Sequence, residues 1–350
     1  PHHYDYINLR HTPNEIKSIF KNNKWKKIVG FQTRNPLHRA HIQMTINASN
    51  DLNSKLLLHP VVGMTKPGDI DHHTRVRCYK YAMEKYPKDL AILSLLPLAM
   101  RMAGPREALW HALIRKNYGC THLIVGRDHA GPGKDKNGNV FYNPYDAQEL
   151  LLSYQNEIGI DMVPFKFMVY MPSKGSYSPI DEIDKNIDYK TISGTELREI
   201  LDRGREIPEW FTYPKIAKEL QKSHPPLNER GFTIFFTGLS GSGKSTLAKG
   251  LLVKLLEHGS RPVTLLDGDI VRTHLSNELG FSKKHRSINI QRIGFVASEI
   301  TKNGGIAICA PIAPYESDRK LNKDLISKYG AYIEIYVNTP IEKCEERDAK

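Results

Sequence analysis

The chain has 350 residues, more than one hydrophobic core usually supports, so we expect two domains. Hydrophobic residues make up 40% of the sequence, and 50 lysines and arginines against 38 aspartates and glutamates give a formal net charge of +12. Such a surface attracts polyanions, but the basic residues are spread along the chain and form no basic tail. The composition therefore favours small anionic ligands and argues against nucleic acid as a partner.

The four cysteines lie at positions 78, 120, 309 and 344, with no spacing typical of a zinc finger or a redox pair. We expect them to be reduced, buried thiols. No apolar run approaches the roughly 20 residues that a membrane span requires. The start, Pro1-His2-His3-Tyr4, lacks the apolar stretch of a signal peptide. These observations predict a soluble, cytoplasmic protein with no membrane partner.

Short apolar runs alternate with stretches of helical spacing in the first part of the chain. The predicted strands are residues 28–31, 56–62, 91–96 and 122–125, and the predicted helices include 74–86 and 105–117. This alternation predicts an α/β fold with a parallel sheet flanked by helices, whose ligands bind at the carboxyl ends of the strands. Polar motifs follow the first and last of these strands, as that rule requires.

The first strand runs into a polar motif, Gln32-Thr33-Arg34-Asn35-Pro36-Leu37-His38-Arg39-Ala40-His41. Pro36 is placed to start a helix, on which a spacing of three puts His38 and His41 on one face. Such a pair can bind a metal, but no glutamate accompanies it as in H-E-x-x-H, and Arg34 and Arg39 repel a cation. Hydrogen bonds to a nucleotide phosphate explain the pattern better, although either histidine alone is more often a plain surface residue.

Two further segments carry groups suited to an anion. Gly126-Arg127-Asp128-His129-Ala130-Gly131-Pro132-Gly133 follows the strand at 122–125, and its glycines allow a ligand close to the backbone. The segment at 100–108 enters a helix with Arg101 and Arg106, which can clamp phosphates. The alternative for these loop residues is simple solvation.

The pattern breaks at residues 223–231, where prolines and polar residues are typical of a short linker. We place the domain boundary there, with one domain at residues 1–222 and a second at 232–350. The second domain has its own predicted strands, at 233–237, 263–266, 306–310 and 332–337. They predict another parallel sheet.

A glycine-rich motif, Gly238-x-x-x-x-Gly243-Lys244-Ser245, follows the strand at 233–237 and opens a predicted helix at 246–256. This is the context of a phosphate-binding P-loop, and a plain Gly-Ser turn is the less favoured alternative. Lys244 supplies a charge towards the β and γ phosphates, and Ser245 offers a hydroxyl to Mg²⁺. The residues predicted to bind ATP here are Gly238, Ser240, Gly241, Ser242, Gly243, Lys244, Ser245 and Thr246.

Asp267-Gly268-Asp269 ends the strand at 263–266. One carboxylate can orient Mg²⁺ and the other can accept a hydroxyl proton, with a solvated acidic turn as the alternative. Downstream lie an aromatic ring, three guanidinium groups and an amide, which suit an anionic, aromatic acceptor. These residues are Arg272, Phe281, Arg286, Asn289 and Arg292.

From about residue 232 to 350 these motifs resemble the adenylyl-sulfate kinase (APS kinase) family, which phosphorylates the ribose 3′-hydroxyl of adenosine 5′-phosphosulfate (APS) with MgATP. The resemblance implies a P-loop kinase fold, catalytic roles for Lys244 and Asp269, and Mg²⁺ as cofactor on Ser245 and Asp267. It implies APS binding by Asp267, Arg272, Phe281, Arg286, Asn289, Arg292 and Lys350. Two departures stand out: Ala313 replaces a serine that the family often has, and Lys284-His285 replaces an acidic pair before Arg286.

Over about residues 4–222, the segments at 32–41, 100–108 and 126–131 together closely resemble the ATP sulfurylase family. The resemblance implies a Rossmann-like nucleotidyltransferase in which sulfate attacks the α-phosphorus of ATP, giving APS and pyrophosphate. It implies sulfate binding by Gln32, Arg34 and the backbone of Ala130. It implies ATP binding by Gln32, His38, His41, Gly126, Arg127, Ala130 and Val169, the last through the backbone near Met168 and Val169, which contacts adenine. It implies catalytic roles for Thr33, Arg34, Asn35, His38, His41 and Arg127.

Together the resemblances imply sulfate activation, with APS made by the first domain and phosphorylated by the second to 3′-phosphoadenosine 5′-phosphosulfate (PAPS). The alternative is an active sulfurylase whose kinase-like domain binds PAPS as a regulator without catalysis. The intact P-loop favours catalysis. The resemblance also implies a homo-oligomer, and relative to the family the chain is expected to be truncated at both ends, with the kinase domain incomplete at its C-terminus.

Overall fold

A computed structural model describes residues 4–64, 69–184 and 187–348. The chain divides into two compact units. Unit 1 consists of Pro1–Leu201 and Arg205–His224, and unit 2 of Asp202–Gly204 and Pro225–Lys350. Lys350, a predicted APS ligand, lies outside the described residues.

Unit 1 contains a five-stranded parallel sheet. Its strands are β1 (Ile28–Phe31), β2 (Lys55–Leu58), β3 (Ala91–Leu93), β4 (His122–Val125) and β5 (Asp161–Pro164), in the spatial order β3-β2-β1-β4-β5. The central strands β1 and β4 are buried along their whole length, which agrees with sequences that are apolar except for His122 at the start of β4. The strand order reverses between β1 and β4, and doubly wound sheets bind their ligands at such a reversal.

Helices cover both faces of this sheet. They are α1 (Pro13–Asn22), α2 (Arg39–Asp51), α3 (His72–Met83), α4 (Pro105–Asn117), α5 (Asp146–Ile158), α6 (Gly194–Asp202) and α7 (Pro214–Ser223). Successive residues of β2 point to opposite faces: Leu56 and Leu58 join the core with α2 and α3, whereas Leu57 joins the core with α1, α4 and α5. An antiparallel hairpin of β6 (Met168–Met171) and β7 (Ser176–Pro179) follows the sheet.

Unit 2 contains a four-stranded parallel sheet. Its strands are β8 (Phe232–Thr237), β9 (Val263–Asp267), β10 (Ile306–Ala310) and β11 (Ala331–Tyr336), in the order β11-β8-β10-β9. Its helices are α8 (Lys244–His258), α9 (Gly268–His274), α10 (Lys283–Lys302), α11 (Glu316–Ile326) and α12 (Ile341–Arg347). Phe235 of β8 packs with α10, while Ile234 and Phe236 pack with α8, so this sheet too is covered on both faces.

The predicted α/β class with two parallel sheets is confirmed, and the strands at 28–31, 122–125 and 306–310 have the predicted bounds. β2 and β3 are shorter than predicted, because Pro60 has no N–H to donate to a ladder; beyond it only a bridge between Val61 and Leu96 remains. α2 begins at Arg39 and not at Pro36. His38 is extended, and its backbone N–H donates to His41 Nδ1 at 3.3 Å, so it caps the helix.

All four cysteines are buried and free, as predicted. Burial raises the pKa of the Cys78 and Cys120 thiols to about 12, so neither forms a reactive thiolate at neutral pH. Among the helices of the described residues, none combines the length and apolarity that a membrane crossing needs.

Candidate active sites

A cavity of about 680 Å³ opens in unit 1 at the carboxyl ends of β1 and β4. Its lining joins two segments that are far apart in sequence, because β1 and β4 are neighbours in the sheet. The segment after β1 contributes Gln32, Thr33, Arg34, Asn35 and His41, and the segment after β4 contributes residues 126–134. Phe165 and Phe167 add an apolar wall. A polar, cationic floor beside aromatic rings suits a nucleotide.

The backbone of this cavity is held in an unusual conformation. Met102, Asp128 and Ala130 all line the cavity and have positive φ angles of 56°, 52° and 54°. Such left-handed residues cost about 1–2 kcal/mol each and cluster at functional sites. The Gly104 N–H donates to the Ala130 oxygen at 3.0 Å, which ties the loop before α4 to the loop after β4. The two loops are therefore preformed as one surface.

Two arginines line the cavity and make it cationic. Arg127 is exposed, while Arg34 is half-buried and its guanidinium pairs with Asp69. Below it, the buried Arg75 donates from Nη1 to the backbone oxygens of Arg34 and Val61, at 2.9 and 3.0 Å. This contact fixes the backbone that carries the Arg34 side chain. An anion entering the cavity thus meets a positioned guanidinium.

The two histidines of the first motif are placed differently. His41 lines the cavity. His38 is buried outside the lining, with Nδ1 3.1 Å from Thr212 Oγ1 and its ring packed on Phe211 at a centroid distance of 4.2 Å. The structure therefore does not place His38 where it contacts a ligand in this cavity. Burial lowers the pKa of His38 to about 3 and that of His41 to about 4, so His41 is neutral at pH 7 and can offer a ligand a hydrogen bond from its imidazole N–H.

Three other predicted positions also lie outside the lining. Val169, whose backbone is predicted to contact adenine, is buried in β6, and Arg101 and Arg106 are exposed; none of the three is among the residues that line the cavity. The segment at 100–108 contributes Met100 and Met102 instead. Arg101 and Arg106, the predicted phosphate clamp, are not part of this lining.

Sequence reasoning missed a network that links two buried residues of α4, Glu107 and His111, to Gln32 and His129 in the cavity lining. His111 of α4 has its Nε2 3.3 Å from Glu107 Oε1, and Gln32 Nε2 lies 2.9 Å from its Nδ1 and 3.3 Å from its Nε2. His129 Nε2 lies 3.0 Å from the same Nδ1. Glu107 also accepts from the N–H groups of Arg101 and Ala103, at 2.9 and 2.8 Å. Burial raises the pKa of Glu107, but the hydrogen bond with His111 and these two backbone bonds together lower it to about 2. The available signal was a glutamate and a histidine four residues apart among apolar residues.

A larger cavity, of about 1150 Å³, lies in unit 2 at the carboxyl ends of β9 and β10 and around the P-loop. The predicted residues that line it are Ser240, Gly241, Ser242, Gly243, Lys244, Ser245, Thr246, Asp267, Asp269, Arg272, Phe281, Arg286 and Asn289. Gly238 and Arg292 are outside the lining. Arg292 pairs with Glu278 at 2.7 Å and donates to the Leu275 oxygen at 2.8 Å, so its guanidinium braces the chain before α10.

The P-loop has a folded, compact form. Gly238, Gly241 and Gly243 have φ angles of 150°, 75° and 97°, which other residues rarely adopt. Lys244 is 7% exposed and donates from Nζ to the Leu239 oxygen at 2.6 Å. Burial lowers the pKa of Lys244. The amine is thus already turned over the loop, where a phosphate oxygen can replace the carbonyl.

The opposite wall of the cavity carries groups suited to a flat, anionic ligand. The ring of Phe281 is 71% exposed, and the guanidinium carbons of Arg272 and Arg286 lie 4.4 and 6.0 Å from its centroid. Asn289 is buried, and its Oδ1 has no hydrogen-bond partner among the described residues. Asp267 is buried at the end of β9 and accepts from the Asp269 N–H at 3.4 Å. A ligand with a ring, a hydrogen-bond donor and negative charge satisfies these groups together.

The folds and cavities define a nucleotide-binding α/β protein, with one doubly wound unit of Rossmann type and one P-loop unit. Comparison with family models places each unit: residues 7–223 match the model described as ATP-sulfurylase, and residues 230–350 match the model described as Adenylylsulphate kinase. The chain belongs to the ATP-sulfurylase family, with an APS kinase domain after the sulfurylase domain.

Individual relatives agree with this assignment. A sulfate adenylyltransferase of Chaetomium globosum is 54% identical over 348 residues, which cover 99% of this chain and 61% of the relative. A sulfate adenylyltransferase of Mycosarcoma maydis is 55% identical over 353 residues, which cover 100% of this chain and 62% of the relative. Among solved structures, the hexameric APS kinase from Thiobacillus denitrificans has a TM-score of 0.84 at 41% identity, over 97% of this chain and 65% of that one. This chain spans about 61% of the length of the first of these relatives.

Proposed function

We propose that the chain activates sulfate in two steps. Unit 1 transfers the adenylyl group of ATP to sulfate, giving APS and pyrophosphate, and unit 2 phosphorylates the 3′-hydroxyl of APS with a second ATP, giving PAPS and ADP. One observation supports this proposal: the same chain carries two cavities. One is cationic and lies between β1 and β4, where the strand order reverses, and the other surrounds an intact P-loop.

In unit 1, sulfate and a triphosphate must approach each other although both are anions. Arg34, Gln32 and the backbone at Ala130 hold sulfate, while Thr33, Asn35, His41 and Arg127 hold the phosphates of ATP. Sulfate is already ionised, so no general base is needed. The guanidinium groups offset the charge that grows on the bridging oxygens, and the preformed loops position the two reactants for in-line attack.

In unit 2, the Lys244 amine leaves the Leu239 oxygen and binds the β and γ phosphates of ATP. Asp269 accepts the proton of the 3′-hydroxyl as that oxygen attacks the γ-phosphorus. Arg272, Phe281, Arg286 and Asn289 hold APS. Ser245 and Asp267 line the same cavity and offer the oxygen ligands that Mg²⁺ prefers, and this ion neutralises phosphate charge when bound.

The two steps are coupled by mass action. The phosphosulfate anhydride of APS is a high-energy linkage, so its formation runs uphill unless the products are removed. Phosphorylation of APS on the same chain removes the product of the first step and so shifts that equilibrium towards APS formation. Proximity of two sites on one chain raises local concentration without requiring a tunnel.

The test is incubation of the chain with ATP, Mg²⁺, labelled sulfate and pyrophosphatase, followed by chromatography of the labelled nucleotides. Labelled PAPS is the expected product. Accumulation of APS alone would support adenylyl transfer by unit 1 and contradict kinase activity in unit 2, which would then be a binding or regulatory domain. Absence of both labelled nucleotides would overturn the proposal.

We also propose that the chain assembles as a homo-oligomer, since the matched Thiobacillus denitrificans protein is described as hexameric. Sedimentation velocity measures the state directly. A single species with the mass of one 350-residue chain at micromolar concentration would contradict this proposal.

A further inference from the structure

The loop between β10 and α11 forms part of the wall of the unit 2 cavity and has a strained backbone. Pro311, Ile312, Ala313 and Pro314 all line that cavity. Ala313 has a φ of 43°, in the left-handed region that residues other than glycine rarely adopt. It also precedes Pro314, and the residue before a proline is normally extended. Strain of this kind persists only where neighbouring groups hold it, and it clusters at functional sites.

Two side chains hold this loop through its carbonyl groups. Thr237, at the end of β8, donates from Oγ1 to the Ile312 oxygen at 2.9 Å, and the same Oγ1 lies 3.2 Å from the Ala313 oxygen. Arg319, in the first turn of α11, donates from Nη1 to the Ala313 oxygen at 3.0 Å. The carbonyl group of the strained residue thus accepts a charge-assisted hydrogen bond from a guanidinium.

The Arg319 guanidinium is itself held on its other side. Its Nε donates to Glu334 Oε1 at 2.9 Å, and the Tyr332 hydroxyl donates to Glu334 Oε2 at 3.2 Å. Both partners lie on β11, which pairs with β8 along its whole length. Arg319 therefore connects the loop to the same part of the sheet that carries the P-loop.

The loop lies between the two groups of residues that phosphoryl transfer would use. On one side, the N–H of Gly238 at the start of the P-loop donates to the Ile312 oxygen at 3.5 Å. On the other side is Gly268, which separates the two aspartates of the cavity. A Cβ on Gly268 would lie 3.9 Å from Pro311 Cα. A shift of the loop would therefore be felt both at the P-loop and at the aspartates.

We propose that Arg319 is a positioning residue of unit 2: it holds Ala313 in the left-handed conformation and so fixes the loop 311–314 between the P-loop and the two aspartates. Arg319 is absent from the cavity lining, so it acts through the Ala313 oxygen and not on a substrate. This inference rests on the proposed kinase activity of unit 2.

Steady-state kinetics of APS phosphorylation test this role. Arg319→Ala is expected to lower kcat about tenfold, because the released loop no longer keeps the P-loop and Asp269 in mutual alignment. The KM for ATP should change by less than about twofold, since the bond between Lys244 and the Leu239 oxygen is not altered. The control is Lys320→Ala, which removes the same charge from the next, exposed residue of α11 and should leave both constants unchanged. An unchanged kcat in Arg319→Ala would overturn the inference.

A glycine substitution separates the holding of Ala313 from general support of the fold. Ala313→Gly removes the strain, because glycine adopts the left-handed conformation readily, and Thr237 can then keep the loop in place. In the Ala313→Gly background, Arg319→Ala should therefore lower kcat by less than about threefold, against about tenfold in the unmodified chain. Equal losses in the two backgrounds would overturn the inference.

The same double-mutant cycle in urea needs no kinase activity. Arg319→Ala should lower the unfolding midpoint of unit 2, measured by circular dichroism, more in the unmodified chain than in the Ala313→Gly background. A chain that shows this coupling but makes no PAPS retains the holding of Ala313 by Arg319 and loses the proposed function. A chain that phosphorylates APS and shows no coupling retains the function and loses the inference.

Discussion

At the scale of one residue, substitution of Lys244 tests the proposed kinase site. The Lys244 amine is buried in the P-loop and rests on the Leu239 oxygen, so its charge is aimed at one point of the cavity. Lys244→Ala is expected to lower the rate of ADP formation from APS and ATP by about 10²-fold or more, because a preorganised charge is lost. APS synthesis by unit 1 should stay within about twofold, since its residues are not altered.

The control for Lys244→Ala is Lys249→Ala, which removes the same charge from an exposed position on α8. Both activities should then be close to those of the unmodified chain. A Lys244→Ala protein that keeps more than about a tenth of the kinase rate would contradict the proposed role of Lys244 in the P-loop.

Buried histidines predict how unit 1 responds to acid. His38, His41 and His129 are held neutral by burial, with pKa values of about 3, 4 and 3, below the usual 6.5. The unfolded chain therefore binds protons that the folded chain excludes once the pH falls below 6.5. Each histidine should cost unit 1 about 1.4 kcal/mol of stability per pH unit in that range. Urea unfolding at pH 7, 6 and 5, followed by tryptophan fluorescence, measures this loss; constant stability would contradict it.

At the scale of elements, α12 packs so close to the P-loop that position 241 has no room for a side chain. Gly241 has a φ of 75°, and a Cβ there would collide with the Cys344 oxygen of α12. Gly241→Ala should displace the loop and lower kinase activity by about 10²-fold. Gly243→Ala is the matched variant, because it has a similar φ of 97° and no atom within 4 Å of its Cβ, so it carries only a backbone cost of about 1–2 kcal/mol. Equal kinase loss in both variants would contradict the collision.

A third glycine, Gly250, is predicted to stabilise the protein when it is replaced by alanine. Gly250 lies within α8 and is exposed, and no atom lies within 4 Å of the position that an alanine methyl group would occupy. Gly250→Ala should therefore stabilise unit 2 by about 0.5–1 kcal/mol, because alanine loses less backbone entropy in a helix. Thermal unfolding followed by far-ultraviolet circular dichroism measures the change. A lowered midpoint would show that α8 packs against something along this face.

The elements also show which features sequence patterns predict. β1, β4 and β10 were predicted with their observed bounds because buried parallel strands are mostly apolar runs between polar turns. α2 was predicted to begin too early, because the proline rule is local, whereas the observed start depends on a hydrogen bond between His38 and His41. The Glu107–His111–Gln32 network depends on the juxtaposition of α4 with β1, which no local pattern encodes. Family motifs thus predicted the residues of the cavity surface better than the residues beneath them.

At the scale of the whole molecule, each buried core contains residues from one unit only. This separation predicts two unfolding transitions, one for each unit. The positions of the tryptophans allow the two transitions to be distinguished. All three tryptophans, Trp25, Trp110 and Trp210, lie in unit 1, so tryptophan fluorescence reports that unit alone. Circular dichroism at helical wavelengths reports both units.

Two matched core truncations test this independence. Leu57 and Ile293 are both 0% exposed, one in each unit, and truncation of either to alanine should cost about 2–5 kcal/mol. Leu57→Ala should move the fluorescence transition in urea to lower concentration, whereas Ile293→Ala should leave it in place and move only the second transition seen by circular dichroism. A fluorescence transition that moves equally in both variants would mean that the two units unfold as one cooperative body, because truncation in either core would then destabilise the other. In that case the sulfurylase and kinase sites would share one folding equilibrium, and a stability change in either unit would be read out in both activities.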